Sequence, residues 1–388
     1  MARIAVVHVP FFSHIEAAMR LARVLVRQGH DVIAWAPESW REQIESDGVV
    51  LFYVHDPEMP QTHGFMNFVA SLAETTEQCT GPLVEQLFAE AVDLVVHDSQ
   101  VPWARIAGDY LGLPRIVSHP MFPIIAAARK VNEDEEEPEP EDHEEAKARF
   151  DARWLSIAGT WGVELGELGS VIHSTSVSDT TVAFTTEEIL GGSGLDGWHC
   201  IGPLMDEAPP AAPSGDRPLV YACLGTSFNT RLVVFKTLIE GLADEPVDVL
   251  ISTGNGTITA ADLGPLPPNV EVRDFVAGRE VLARARLHIT HGGCNSVHES
   301  LLAGVPMVLM PQAFDQFPLA SRIEQLGAGL VVDETPAAVR TAARWLVEDE
   351  TVQARTRELG QHLASYDGES RVAAVVERVL SESAALSA

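Results

Sequence analysis

The sequence predicts an α/β protein made of two domains, each built on a doubly wound parallel sheet. The chain has 388 residues, about two to three times the length of a typical domain. Short apolar runs alternate with helix-length segments in both halves, and a proline-rich stretch lies between them. The apolar share of 46% is enough for full hydrophobic cores and too high for a disordered chain.

The first half begins with a βαβ unit. The run RIAVVHV (3–9) is almost entirely apolar, as expected of a strand buried on both faces. A helical pattern follows, with Ile15, Ala18 and Ala22 on one face, and ends at Gly29, where a helix C′ glycine is expected. Because DVIAWAP, VDLVVHDS and PRIVSHP continue the alternation, the first half is predicted to be one parallel sheet covered by helices.

The domain boundary is predicted from composition. The stretch PPAAPSGDRP has the turn and polyproline bias of a linker. We therefore predict an N-terminal domain over 1–208, a linker over 209–217 and a C-terminal domain over 218–365. Strands are expected at LVYACLGTS, VDVLISTG, NVEVRDFV, LHITHGG, VPMVLMP and GAGLVV, with a helix near 232–242 and two terminal helical stretches.

Charge limits the expected partners. Residues 133–145 (EDEEEPEPEDHEE) hold 10 acidic residues and almost no apolar ones, which predicts a mobile, solvated loop. The whole chain has a net charge of −30, from 26 Lys+Arg and 56 Asp+Glu. This charge repels phosphate backbones and anionic headgroups, so neither nucleic acid nor a stable membrane association is expected.

Cysteine use and the N-terminal sequence favour a cytoplasmic location. Cys79, Cys200, Cys223 and Cys294 are far apart and form no CxxC pair, which argues against a disulfide framework and against a thiolate zinc site. Residues 4–12 are apolar but too short to span a bilayer, and nothing resembling a signal-peptide cleavage site follows them. A homodimer is compatible with the sequence, which does not define the oligomeric state.

Several catalytic motifs are absent from the sequence. It contains no P-loop, no HExxH zinc pair and no GxSxG nucleophile elbow. No two aspartates stand two positions apart, so the DxD pattern that holds a divalent ion through a nucleotide diphosphate is also missing. His288 and His291 are three apart on an extended run, where they point to opposite faces. No metal site is therefore expected.

The stretch over 287–316 (LHITHGGCNSVHESLLAGVPMVLMPQAFDQ) carries the clearest chemistry. It predicts a buried strand, a loop with Gly292 and Gly293, and a helix beginning at Asn295 or Ser296. Backbone amides at such a helix start attract anions, and the glycines let a ligand approach the main chain. The simpler alternative is a capping box of Ser296 and Glu299. The residues alone leave both interpretations open.

The same stretch resembles the donor-binding signature of the family 1 GT-B glycosyltransferases, which include bacterial natural-product transferases of macrolide type. The loop CLGTS (223–227) resembles a second hallmark of this family. The resemblance covers nearly the whole chain. It implies the GT-B fold, in which two Rossmann-like domains face each other across a cleft, and a last helix within 366–388 that returns to the first domain.

The resemblance also implies residues that bind a nucleotide-sugar donor. His291 is expected at the diphosphate and Glu299 at the ribose, and Phe275 is expected to stack on the base. Residues 275–278 read FVAG where aromatic-x-Pro-Gln is usual, which leaves the preference for nucleotide and sugar open. Asp315 and Gln316 match the pair on the sugar hydroxyls. The complete set is Thr226, Ser227, Phe275, Val276, His291, Gly293, Asn295, Ser296, Glu299, Asp315 and Gln316.

The family's catalytic base is a histidine in the loop after the first strand, often within HGHxNP. Residues 12–17 read FSHIEA, so His14 matches while the flanking Asn and Pro do not. A helix N-terminus disfavours the imidazolium, so we expect a neutral ring near pH 7. Asp98, at the carboxyl end of a strand, matches the acid that orients this histidine. Without the resemblance, a helix-start histidine and a strand-end aspartate are the simpler interpretation.

The implied reaction is the inverting, metal-independent transfer of a sugar from a UDP- or TDP-sugar to a hydroxyl of a small hydrophobic acceptor, aromatic or macrocyclic. No cofactor is expected besides the donor co-substrate. The alternatives are a sugar-nucleotide epimerase of GT-B shape and a non-catalytic nucleotide-sugar-binding partner protein. His8, His97 and His119 are expected to be hydrogen-bonded histidines of the sheet. The acceptor-pocket candidates, each equally interpretable as core, are Phe11, Phe12, Phe65, Phe68, Met121, Phe122 and Trp161.

Overall fold

The computed structural model describes residues 1–46, 48–52, 65–122, 143–162, 180–192, 197–205, 215–225, 230–254, 258–313 and 315–387. Within these residues the chain forms two sheets, and every strand pairing is parallel. Helices connect the strands. The predicted α/β class with two Rossmann-like halves is confirmed.

The first sheet has seven strands in the order β3-β2-β1-β4-β5-β6-β7. They are β1 (Arg3–Val7), β2 (Asp31–Trp35), β3 (Val50–Phe52), β4 (Leu94–Asp98), β5 (Arg115–His119), β6 (Thr180–Ala183) and β7 (Trp198–Cys200). Ile4 pairs with Val32 on one side and with Leu94 on the other, so apolar side chains continue across the central strands. This register places the loops after β1 and β4 side by side at the carboxyl ends of the strands.

The second sheet has six strands in the order β10-β9-β8-β11-β12-β13. They are β8 (Leu219–Cys223), β9 (Asp248–Ser252), β10 (Val270–Arg273), β11 (Leu287–Thr290), β12 (Met307–Leu309) and β13 (Gly329–Val331). Thr290 pairs with Cys223 at the carboxyl ends of β11 and β8. The two glycine-containing loops singled out in the sequence are therefore neighbours.

The helices cover both sheets. They are α1 (Phe12–Arg27), α2 (Arg41–Ser46), α3 (Phe65–Ala89), α4 (Pro102–Leu111), α5 (His143–Trp161), α6 (Glu187–Leu190), α7 (Leu232–Leu242), α8 (Ala260–Leu263), α9 (Gly278–Leu282), α10 (Cys294–Ala303), α11 (Gln316–Gln325), α12 (Pro336–Glu348), α13 (Glu350–Ala364) and α14 (Gly368–Ser387). As expected, α1 is followed by Gly29 at a positive φ of 83°, the left-handed conformation that glycine adopts without strain.

The two halves share buried apolar side chains. Phe122 and Leu190 of the first half are buried in one cluster with Val297, Leu301 and other residues of the second half. Helix α14 follows the second sheet in the chain, yet its valines are buried in the core of the first sheet; they are Val372, Val375, Val376 and Val379. The predicted domain boundaries at 208, 217 and 365 stay predictions.

Two expectations about the fold need correction, and parts of two expected segments lie outside the described residues. The acidic segment 133–145 is not loop throughout, because His143–Glu145 form the first turn of α5. The positive end of the helix dipole stabilises the negative charges of Glu144 and Glu145 there. Three helices, rather than two helical stretches, follow the second sheet. Residues 133–142 and most of the predicted linker, 209–214, are outside the described residues.

Candidate functional site

His14 lies in the first turn of α1, directly after β1. The helix begins at Phe12, and the backbone N–H of His14 donates to the carbonyl of Phe11 at 3.0 Å. The His14 side chain is only 8% exposed. Because β1 and β4 are neighbours, the end of β4 places Asp98 beside this ring.

The structure brings His14 and Asp98 together. Nδ1 of His14 donates to Oδ2 of Asp98 at 2.7 Å. The other carboxylate oxygen, Oδ1, accepts the backbone N–H of Gln100 at 2.8 Å. With the proton fixed on Nδ1, a neutral His14 ring has its lone pair on Nε2. A buried imidazole with a free lone pair and an aligned carboxylate can take up a proton.

The electrostatics of this pair correct one expectation. Burial lowers the pKa of His14, but the charge and hydrogen bond of Asp98, together with the charge of Asp315, outweigh it and raise the pKa above its ordinary value. Burial likewise raises the pKa of Asp98, but His14 and the Gln100 amide outweigh it and hold it below the usual range. The expectation that the helix N-terminus keeps the His14 ring neutral is therefore wrong in direction.

Three other histidines lie near the same edge of the first sheet. Nδ1 of His97 donates to the carbonyl of Asp98 at 2.9 Å, and Nδ1 of His119 donates to the carbonyl of Met121 at 3.0 Å. Nδ1 of His8 donates to the carbonyl of Val9 at 3.1 Å. Among the described residues, the buried Nε2 of His8 has no hydrogen-bond partner. The expected hydrogen bond is therefore present at Nδ1 of His8 and not at its Nε2.

Of the aromatic residues expected to form an acceptor pocket, some lie at the candidate site and others pack elsewhere in the fold. Phe11 meets the His14 ring edge-on at 5.8 Å between centroids and stacks on Phe68 at 6.5 Å. Phe12 is 42% exposed and lies against Trp40, whereas Phe122 is buried in the cluster between the halves. Trp161 lies edge-on against Tyr110. The side chain of Phe65 is outside the described set.

His291 directly follows β11, in the second half, and two glycines enclose its ring. A Cβ atom at Gly225 would lie 2.8 Å from Cε1 of His291, and one at Gly293 would lie 2.5 Å from its Nε2. Both positions therefore require glycine for the ring to lie where it does. Burial lowers the pKa of His291 to about 4, although a hydrogen bond to the backbone of Cys223 opposes the shift. The ring is neutral near pH 7, so it has a single N–H, and in this structure the hydrogen bond to the Cys223 backbone uses it.

The helix after this loop begins earlier than expected. Gly293 is the N-cap of α10, no side chain caps the helix, and its first turn contains no acidic residue. Ser296 and Glu299 therefore do not form a capping box, because both lie inside the helix. The start of a ten-residue helix follows the glycine loop directly, so Asn295 and Ser296 lie where backbone amides attract anions.

The other expected donor residues follow β10 and lie within α10. Phe275 is 57% exposed after β10, and Val276 packs against the cluster of Tyr221 and Leu250. Burial raises the pKa of Glu299 to about 7, an effect that Glu16 adds to and that Arg20 and Arg279 oppose. The expected contacts of Thr226 and Ser227 lie outside the described residues.

Asp315 links the two halves. Its Oδ2 accepts the backbone N–H of Phe122 at 3.0 Å, and its charge acts on His14. Burial raises the pKa of Asp315, although the Phe122 amide and His14 oppose the shift. Oε1 of Gln316 accepts the backbone N–H groups of Gln312 and Ala313, so this side chain braces the preceding loop.

Two further contacts between the halves were not expected from the sequence. Arg20 of α1 donates to Asn295 at 3.3 Å, and Nε2 of His298 lies 3.1 Å from the Thr185 hydroxyl. The spacing of Glu16 and Arg20, four apart on a helix, favours a pair within α1 but gives no signal for the contact of Arg20 with Asn295. No sequence pattern connects His298 to Thr185.

The described residues contain neither a candidate metal-binding cluster nor a candidate membrane-spanning helix. No group of three or more His, Cys, Asp or Glu side chains in them could hold a metal ion. Within the described residues, no helix is long and apolar enough to cross a membrane.

Comparison with known proteins finds macrolide glycosyltransferases among the relatives of this chain. Residues 238–379 match the family model described as Erythromycin biosynthesis protein CIII-like, C-terminal domain. The chain is 28% identical to demethyllactenocin mycarosyltransferase from Streptomyces fradiae, covering 99% of this chain and 88% of the relative. It is 26% identical to oleandomycin glycosyltransferase from Streptomyces antibioticus, covering 98% and 91%.

A solved structure agrees along the whole chain. The crystal structure of the glycosyltransferase of kitacinnamycin superposes with a TM-score of 0.82 at 25% identity and covers 98% of this chain and 99% of that one. Together these matches support a family 1 GT-B glycosyltransferase. The glycosyltransferase presents His14 and Asp98 on one half and His291 with the start of α10 on the other.

Proposed function

We propose that this glycosyltransferase moves a sugar from a UDP- or TDP-sugar to a hydroxyl of a small hydrophobic natural product, aromatic or macrocyclic, with inversion at the anomeric carbon. The observation that carries the proposal is the buried pair of His14 and Asp98, whose Nδ1 to Oδ2 distance is 2.7 Å. It leaves Nε2 of His14 as the atom that can accept the hydroxyl proton. No metal ion or cofactor takes part in the proposed reaction.

The proposed reaction is a single displacement. The acceptor oxygen attacks the anomeric carbon while Nε2 of His14 takes its proton, and Asp98 stabilises the imidazolium that forms. The bond between the anomeric carbon and the diphosphate oxygen breaks, and its electron pair leaves with the diphosphate. The first-turn amides of α10, and the N–H of neutral His291 once it leaves the Cys223 carbonyl, donate hydrogen bonds to the negative charge that develops there.

The site also suits the two substrates in composition. Exposed Phe275 offers a face on which a nucleobase can stack. Phe11 and Phe68 form an apolar wall beside His14 for a hydrophobic acceptor. Two structural neighbours support these substrate classes by what they were solved with: VinC in complex with dTDP, and the spinosyn rhamnosyltransferase SpnG complexed with spinosyn aglycone.

A product analysis tests the proposal. The purified protein is incubated with UDP- and TDP-sugars and a panel of aromatic and macrocyclic acceptors, and products are identified by mass spectrometry. NMR of the new glycosidic bond reports its anomeric configuration, and we expect it to be opposite to that of the donor. Retention of configuration would contradict the single displacement.

Two controls separate the alternatives. The donor is incubated without acceptor, and a new sugar nucleotide of the same mass would identify an epimerase instead. Binding of TDP and UDP is measured by calorimetry in parallel. Tight binding with no product from any donor and acceptor pair would favour a non-catalytic nucleotide-sugar-binding partner protein.

A further inference from the structure

One departure from the family pattern has a structural counterpart. Glu16 occupies the position of the Asn in HGHxNP, and in α1 it lies one turn before Arg20. Oε2 of Glu16 is 3.2 Å from a guanidinium nitrogen of Arg20, and the Arg20 side chain is only 12% exposed. A guanidinium buried to this degree needs partners for its charge and its N–H groups. Glu16 is one of them.

The other contact of Arg20 crosses to the second half. Its Nη1 donates to Oδ1 of Asn295, in the first turn of α10, at 3.3 Å. The charges of Arg20 and Glu299 also act on each other. One arginine from the first half thus faces two side chains that the family resemblance assigns to the donor.

The contact with Asn295 fixes the direction of an amide group. A guanidinium has only donors, so the amide must turn its oxygen toward Arg20. The NH₂ group of Asn295 then points away from Arg20 as the free, donating end. Phosphate oxygens are acceptors, and this is the end of the amide that they require.

The charge of Arg20 acts on Glu299 in a second way. Burial raises the pKa of Glu299 to about 7, and Arg20 and Arg279 oppose the increase. The charged and titratable groups facing Glu299 are Glu16 and Arg20 from α1, Arg279 from α9, and Tyr221 and Cys223 from β8. Loss of Arg20 therefore favours the protonated acid, and an ionised carboxylate is the stronger acceptor for two ribose hydroxyls.

We propose that Arg20, held by Glu16, is a positioning residue of the donor site that the opposite half supplies. It orients the amide of Asn295 toward the diphosphate, and its positive charge favours the carboxylate form of Glu299 at the ribose. This inference rests on the proposed donor chemistry. Because the contact joins α1 to α10, binding of the nucleotide depends on the arrangement of the two halves.

Calorimetric titration of the full chain with TDP and with UDP tests the inference. Arg20→Gln removes the charge, and we expect it to weaken the better-bound diphosphate about 10- to 100-fold, as loss of a hydrogen bond to a charged group does. The loss should grow as the pH falls from 8 to 6, because Glu299 takes up its proton. The KM for the acceptor should stay close to that of the wild type.

The double variant Glu16→Arg/Arg20→Glu distinguishes positioning from simple helix stability. It keeps an opposite-charge pair four apart on α1, but places a carboxylate against Asn295 and Glu299. We expect it not to restore diphosphate binding. Arg27→Gln is the matched control, since Arg27 lies on the same helix, is 52% exposed and pairs with Glu369 of α14 instead. It should bind like the wild type.

Each outcome has a defined meaning. Wild-type affinity in Arg20→Gln, or full recovery in the charge-swapped variant, would overturn the role of Arg20 while leaving the proposed function in place. If the wild type itself binds neither TDP nor UDP, the proposed donor is wrong and the inference falls with it. If Arg20→Gln does not fold, Arg20→Lys carries the test: it keeps the charge but not the reach, and should still weaken binding while flattening its dependence on pH.

Discussion

Each half of the molecule places a histidine close to the carboxyl end of a central strand, yet the pKa values of the two rings are shifted in opposite directions. His14, after β1, donates to a buried carboxylate that raises its pKa. His291, after β11, is enclosed by Gly225 and Gly293, and burial lowers its pKa to about 4. The fold gives both residues the same kind of position. Their neighbours decide whether the ring accepts a proton or donates a hydrogen bond.

This difference teaches that a shared topology does not define a chemical role. Asp98 supplies negative charge next to His14, which suits a base that becomes an imidazolium. His291 faces backbone instead and keeps one uncharged N–H, which suits contact with an anion at any neutral pH. Substitutions at the two rings should therefore have different kinetic consequences.

The largest effect on activity is expected when each of the two histidines is replaced separately by asparagine. His14→Asn should lower kcat about 10²- to 10⁴-fold with little change in the dissociation constant of TDP or UDP, because it removes the base but not the donor site. His291→Asn should instead weaken diphosphate binding. Steady-state kinetics and calorimetry measure the two quantities. Equal loss of diphosphate binding in both variants would contradict the different roles of the two histidines.

The second effect concerns Asp98. A base must be unprotonated, so kcat/KM should rise with pH through the raised pKa of His14, above 6.5. In Asp98→Asn the burial of His14 acts unopposed by that carboxylate, so the rise should move to lower pH, and the maximal rate should fall about 10²-fold because the imidazolium loses its partner. Asp93→Asn, at the other end of β4, is the control. A rise that stays in place would argue against Asp98 as the cause of the shift.

The third effect tests the glycines around His291. In Gly293→Ala the new Cβ would lie 2.5 Å from Nε2 of His291, so the ring has to move, and we expect diphosphate binding to weaken about tenfold. Gly159→Ala is the matched control, since nothing lies within 4 Å of its added Cβ. Unchanged affinity in Gly293→Ala would mean that the position of this ring is not important for the donor.

The smallest effect is on stability. His14 has a raised pKa, so it stabilises the fold fully below about pH 6.5 and loses this contribution as the pH rises through its folded pKa. Asp98 has a lowered pKa, so its contribution is present above about pH 4 and disappears as the pH falls through its folded pKa. Urea denaturation should show His14→Ala least stable relative to the wild type between these values, by about 1–3 kcal/mol. A difference independent of pH would contradict a charged pair.

The central strands of both sheets could be predicted because their apolar runs are long and end in turn residues. Helix α7 lies where its apolar pattern places it, over Leu232–Leu242. The strands β3, β6 and β7 were missed. Length alone is not the reason, because β12 and β13 also have three residues and were predicted from the apolar runs around them. β6 reads TTVA, in which the hydroxyl side chains hide a buried strand.

The candidate site was predicted in its residue types but not in its electrostatics. The positions of His14 and Asp98 follow from the order of strands, whereas the rise in the pKa of His14 depends on a contact between residues 84 apart. The contact of Arg20 with Asn295 joins residues 275 apart. The first contact depends on packing within the first half and the second on how the halves meet, and no local pattern in the sequence encodes either.

Helix α14 has a practical consequence for recombining parts of such enzymes. Its valines complete the core of the first sheet, although the helix follows the second sheet in the chain. A chimera that takes residues 1–208 from this protein and the rest from a relative would surround that core with foreign side chains. Exchanges should therefore transfer the final helix together with the first sheet, as one unit that is discontinuous in sequence.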